Sequence, residues 1–168
     1  MSPAQPMGDP LPGMGELPAQ VAAPAPDGAE RPFSVYLHVP YCRVRCGYCD
    51  FNTYTNLTMG QGASAEDFVG TLAGELRAVS RAMDAAGLPV RPARTVFVGG
   101  GTPTMLPASD LVSMLDLVSE CFGLAPDAEV TTEANPDSVD EAALAALAKG
   151  GFTRVSFGMQ SAVPHVLK

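Results

Sequence analysis

The run Phe33–Thr53, FSVYLHVPYCRVRCGYCDFNT, constrains this chain more than any other stretch, because strand-like alternation leads directly into three of the four cysteines. Val35, Leu37 and Val39 alternate with Tyr36 and His38, a period of two that predicts a strand ended by Pro40. Cys42, Cys46 and Cys49 follow in a C-x3-C-x2-C spacing, so one loop can carry three thiolates. Structural zinc takes four ligands, usually from paired C-x2-C or from C-x2-C with two histidines, and neither pattern occurs. A [4Fe-4S] cluster takes one thiolate per iron, so three cysteines leave one iron without a protein ligand. A small chelating molecule can bind an open iron of that kind and receive an electron from the cluster.

Beyond the cysteines the chain alternates between the two periodicities. Ser64 with Asp67 three residues on predicts a capped helix running to about Ala86, with Phe68, Leu72, Leu76, Val79 and Met83 on one apolar face and Gly87 and Pro89 as the stop. Thr95–Val98 is a short, uninterrupted and largely apolar strand, followed at once by Gly99, Gly100 and Gly101. A helix from about Ala108 to Phe122 turns Leu111, Met114, Leu115 and Val118 inward. A third strand at about Glu129–Glu133 ends at the Asn135-Pro136 turn, and Ser138 and Glu141 predict the start of a helix stopped by Gly150 and Gly151. A fourth strand spans about Arg154–Phe157.

Strands separated by helices in this rhythm predict an α/β fold with a parallel sheet. The cysteine loop, the triple glycine, Glu133 and Gln160 all fall at or just past the C-terminal ends of successive strands, the edge where parallel α/β folds bind ligands. Residues 1–32 carry half of the 16 prolines, with no basic residue before Arg31, and read as a disordered Pro/Ala/Gly-rich tail. A secretory signal would need a basic start and an unbroken apolar stretch, and prolines interrupt every candidate. The net charge of −8 argues against a nucleic-acid partner. Clustered thiols without a secretory signal point to a reducing, cytoplasmic setting. No 18-residue apolar span predicts a transmembrane helix.

YLHVPYC with C-x-Y-C, then VFVGGGTPT, TEANP and RVSFGMQS, in that order over about residues 33–168, resemble the radical S-adenosylmethionine (SAM) superfamily. More narrowly they resemble the branch that holds the oxygen-independent coproporphyrinogen III oxidases and the HemW-type heme chaperones. The resemblance implies a partial (β/α)6 barrel, of which four units are present, so the chain reads as the N-terminal portion of a radical SAM core. It implies a [4Fe-4S] cluster on Cys42, Cys46 and Cys49, with SAM chelating the open iron and giving up a 5′-deoxyadenosyl radical on reduction. SAM contacts are implied at Tyr36, Tyr48, Gly100, Gly101, Thr102, Glu133 and Gln160. In the glycines, missing side chains would let backbone approach the methionine end of SAM; in Glu133, the carboxylate would accept from the ribose diol.

Some residues carry plainer readings. Cys121 lies alone among apolar helix positions and is expected to be a packed thiol. His38 is expected to make structural hydrogen bonds, and Arg43 and Arg45 to form a solvated face of the cysteine loop. One position divides the branch. The oxidases carry a further cysteine two residues after the third, whereas Cys49-Asp50-Phe51 places Phe51 there. The resemblance therefore favours a heme chaperone, with heme as cargo, heme-acceptor proteins and an electron donor as partners. The oxidase of heme (porphyrin) biosynthesis stands second, and a radical SAM enzyme with another substrate third.

Overall fold

In a computed structural model the described residues are 32–58, 64–88 and 91–166. The tail predicted over 1–32 falls outside them except for Pro32, as does the helix stop expected of Pro89. The elements run β1 (Ser34–Val39), α1 (Phe68–Ala85), β2 (Ala93–Gly100), a 3-10 turn (Pro103–Met105), α2 (Ala108–Phe122), β3 (Leu124–Ala134), α3 (Glu141–Lys149) and β4 (Arg154–Phe157). All three strand pairings are parallel and the order is β1-β2-β3-β4, as the strand-helix alternation predicts.

Burial follows the period of two. In β1, Leu37 and Val39 are buried while Tyr36 is exposed; Val96 and Val98 of β2 and Val130 of β3 complete that apolar face. The helices cover it: α1 packs on α2, and α2 on α3. Leu111, Met114, Leu115, Val118 and Phe122 of α2 are all buried, which makes this helix the centre of the core. Complete burial of side chains such as Leu111 and Met114 contributes about 1.5–3 kcal/mol each. The opposite face carries Tyr36, stacked on Phe97 of β2 at a centroid separation of 6.0 Å. Cys121 packs against the core as a free thiol, as expected.

Four local expectations are corrected. Ser64 and Asp67 do make reciprocal bonds, the Asp67 N–H to Ser64 Oγ (3.1 Å) and the Ser64 hydroxyl to Asp67 Oδ2 (2.8 Å), but they close a turn and the helix proper starts at Phe68. Val79 stays 43% exposed, so the buried face of α1 narrows to Leu72 and Leu76, with Phe68 and Met83 at its margins. Asp140, not Ser138, caps α3, accepting from the Ala143 N–H at 2.8 Å. Ser138 instead binds both the N–H and the carbonyl of Asn135, which tightens the turn after β3. Lastly, Gly99 and Gly100 belong to β2, paired with His38 and Val39, so the chain leaves the strand only at Gly101.

Candidate functional site: a thiol-lined cleft at the C-terminal sheet edge

The cysteine loop leaves β1 at Pro40 and returns alongside itself. The Tyr54 N–H donates to the Pro40 carbonyl (2.7 Å) and the Cys42 N–H to the Tyr54 carbonyl (2.9 Å), closing the loop at its base. Tyr41 is buried there, its ring edge-on to Phe68 of α1. The loop also sits on the glycine segment: the Gly101 N–H donates to the Val39 carbonyl (2.8 Å) and the Thr102 N–H to the Tyr41 carbonyl (2.7 Å). Within the loop, Cys49 N–H donates to the Cys46 carbonyl at 3.1 Å, which winds the last two cysteines into one turn.

The result is a cleft of about 260 Å³ bordered by Cys42, Cys46, Cys49, Tyr48, Gly100, Gly101, Thr102, Glu133 and Gln160. Of the residues predicted from sequence, only Tyr36 is not on its wall. Tyr36 lies further down β1, bonding His38 Nδ1 at 3.0 Å. Burial, and then the charge of Glu133, push its phenol up. Strand register brings the distant contributors together, since Glu133 pairs with Ser156 and Ala134 with Phe157 across β3 and β4.

Each glycine has a packing reason. A Cβ on Gly99 would lie 2.6 Å from the Phe97 ring and 2.9 Å from Glu133 Oε2; on Gly100, 2.5 Å from the His38 ring; on Gly101, 2.5 Å from the Tyr41 carbonyl and 3.0 Å from Cys42 Sγ. Gly100 also takes a φ of +112°, which disfavours any side chain. The Gly100 N–H donates to Glu133 Oε2 at 3.0 Å, so the glycine segment orients the Glu133 carboxylate on the cleft wall.

All three cysteines are free thiols, Cys46 exposed and the other two half-buried. Each faces a hydroxyl: Thr102 Oγ1 donates to Cys42 Sγ at 3.9 Å, Thr53 Oγ1 is 4.0 Å from Cys49 Sγ, and the Tyr48 hydroxyl bonds Cys46. Desolvation, that bond, and the neighbouring Cys46 and Cys49 sulfurs push the Tyr48 phenol up. Among the described residues no three His, Cys, Asp or Glu side chains converge on a single metal ion. The donor set, three soft thiols with no histidine among the described residues of the wall, fits iron-sulfur chemistry.

The structure adds residues that sequence reasoning passed over. Asn135, read there only as a turn former, donates from its side-chain amide to Thr102 Oγ1 at 3.3 Å and borders the cleft. Val44, Thr53, Ser156, Phe157 and Gly158 also border it, beside Phe51, which the sequence had already singled out. Position just past a strand end is the signal that would have found Asn135 and Gly158. Arg43, expected on a solvated face, is exposed and pairs with Asp137 at 3.0 Å. No helix among the described residues is long and apolar enough to cross a membrane.

Comparison with known proteins agrees with this architecture. The family model of the Radical SAM superfamily matches residues 36–168. The chain is 46% identical over 157 residues to the heme chaperone HemW of Mycobacterium tuberculosis, covering 94% of this chain and 36% of that protein. It is 35% identical over 146 residues to an oxygen-independent coproporphyrinogen III oxidase of Paracoccus denitrificans, covering 87% of this chain and 30% of the relative. Among solved structures, coproporphyrinogen III oxidase (HemN) from Escherichia coli, described as a radical SAM enzyme, superposes with a TM-score of 0.70 at 30% identity over 88% of this chain and 32% of that one. The chain thus spans about a third of the length of these relatives. With its parallel α/β sheet and its three-cysteine loop at the C-terminal edge, the chain belongs to the radical SAM superfamily.

Proposed function

We propose that this chain forms the cluster and SAM end of a heme chaperone, a protein that binds heme and delivers it to acceptor proteins. The observation that carries the cluster is the meeting of Cys42, Cys46 and Cys49 with Gly100, Gly101, Thr102, Glu133 and Gln160 around one cleft. In this reading the three thiolates hold a [4Fe-4S] cluster whose fourth iron is left to SAM. When bound and reduced, the cluster supplies one electron for cleavage of a sulfonium carbon-sulfur bond of SAM, the electron coming from a low-potential donor.

The chain's own residues bind, orient and shield. Gly101 leaves room for Cys42 beside the Tyr41 carbonyl, so the thiol reaches the wall instead of being pushed off it. Glu133 is held by the Gly100 N–H and offers a carboxylate to the ribose hydroxyls of SAM. Thr102 is held between Asn135 and Cys42 and can bond the polar methionine end. Tyr48 and Gln160 stand on the wall as further contacts, and Tyr36 acts from beside it. Tyr48, Phe51, Val44 and Phe157 give the cleft an apolar rim that limits water at the iron. A reducing cytoplasm suits such a centre.

Phe51 favours the chaperone over the oxidase. Its ring is 60% exposed on the cleft rim, at the position where the resemblance gives the oxidases a further cysteine, and it cannot act as a thiol. The higher identity to the Mycobacterium tuberculosis heme chaperone than to the Paracoccus denitrificans oxidase points the same way. The oxidase reading retains support from the structural match to HemN.

The test uses the intact protein reconstituted anaerobically with iron and sulfide, given SAM, a reductant and coproporphyrinogen III. The chaperone reading expects no protoporphyrinogen IX by chromatography and tight retention of heme by the same sample. Product formation would make the protein an oxidase, and absence of both product and heme would move it to another radical SAM substrate.

A further inference from the structure

We propose that His38 is a positioning residue for the iron-binding loop, a role that rests on the cluster reading above and goes beyond the ligands themselves. His38 Nε2 lies 2.9 Å from the backbone carbonyl of Asn52, on the return arm of the cysteine loop. A carbonyl only accepts, so Nε2 carries the proton and Nδ1 is left to accept from the Tyr36 hydroxyl at 3.0 Å. Both ring nitrogens are thus committed, and His38 is not itself a metal ligand. The ring has a third contact, lying over Gly100 where a Cβ would be 2.5 Å from its Cε1 and Nδ1.

One imidazole therefore ties together β1, the return arm of the loop and the end of β2. Without it that arm keeps the backbone bonds of Tyr54 at the loop base, but loses its tether at Asn52, between Phe51 on the rim and buried Thr53. Phe51 directly precedes Asn52 and Cys49 lies three residues before it, so their placement on the cleft wall beside Gly100 and Thr102 depends on this tether. Gly100 in turn donates to Glu133 Oε2 at 3.0 Å, and displacement of the ring would reach that carboxylate too. Partners that orient metal ligands without touching the metal typically change metal affinity about 10- to 100-fold when removed.

The experiment compares the parent, His38→Ala and His38→Gln in the intact protein, reconstituted anaerobically. It follows iron release to a strong chelator and the electron paramagnetic resonance (EPR) spectrum of the reduced cluster during titration with SAM. Glutamine carries an amide NH2 that can donate to the Asn52 carbonyl and a carbonyl oxygen that can accept from the Tyr36 hydroxyl, and so can replace both hydrogen bonds. His38→Ala is expected to release iron about 10- to 100-fold faster, with the SAM-induced spectral change displaced to higher SAM, and His38→Gln is expected to lie near the parent. If His38→Ala takes up no cluster, rescue by His38→Gln still supports the assignment. The assignment is overturned if His38→Ala matches the parent, or if His38→Gln is as impaired as His38→Ala. A parent that takes up no iron would instead remove the cluster reading, and this role with it.

Discussion

Gly100 combines a φ of +112° with a histidine ring in the place of its missing Cβ. That ring is held by two hydrogen bonds and cannot swing aside freely. Gly100→Ala is therefore expected to destabilise the protein by about 1–3 kcal/mol, read as a lower denaturant midpoint with unchanged slope. Gly47→Ala is the control: nothing lies within 4 Å of a Cβ there, and its effect should stay within about 0.5 kcal/mol. Three consecutive glycines after an apolar run are conspicuous in the sequence. Their reason is not, because it depends on a ring arriving from β1 and a carboxylate from β3, both distant in the chain. His38 itself reads in sequence only as a strand residue with a structural role, and its partner at Asn52 is a backbone carbonyl that no residue type reveals. The Arg43–Asp137 pair is exposed on both sides, and at that exposure it contributes little to stability.

At the scale of elements, α2 and the four strands were legible because their apolar positions are strongly periodic; Ala108–Phe122 is where the period of 3.6 placed it. Leu111→Ala, at the fully buried centre of that helix, should cost about 2–5 kcal/mol. Val79→Ser on α1 should change stability by less than about 0.5 kcal/mol, since the side chain is 43% exposed despite its place in the apolar repeat. Thermal or denaturant melts of the two variants separate these expectations. Caps were less legible. Ser138 and Asp140 both precede α3 within three residues, and local sequence does not say which oxygen meets the free N–H groups; the turn after β3 takes the serine and leaves the aspartate for the helix. Asp140→Ala should cost about 1 kcal/mol through loss of the bond to the Ala143 N–H, whereas Ser138→Ala should loosen the Asn135 turn, and with it the bond to Thr102, without uncapping α3.

On the scale of the whole molecule, parallel topology turns scattered motifs into one site. Cys42, Gly100, Glu133 and Gln160 span more than a hundred residues of sequence, yet each follows or ends a strand of the same sheet, and all reach its C-terminal edge. That much followed from motif order and strand ends alone. The cleft wall contributed by Ser156 and Phe157 did not, because it depends on the register between β3 and β4. The proposed role of the three thiols on one loop is to hold an iron-sulfur cluster. Its most direct measurement is iron and acid-labile sulfide per chain in the anaerobically reconstituted intact protein, compared between the parent and Cys46→Ala. The account predicts about four irons and four sulfides per chain in the parent and loss of the cluster in Cys46→Ala. A Cys46→Ala protein that still holds the parent's iron and sulfide would contradict it.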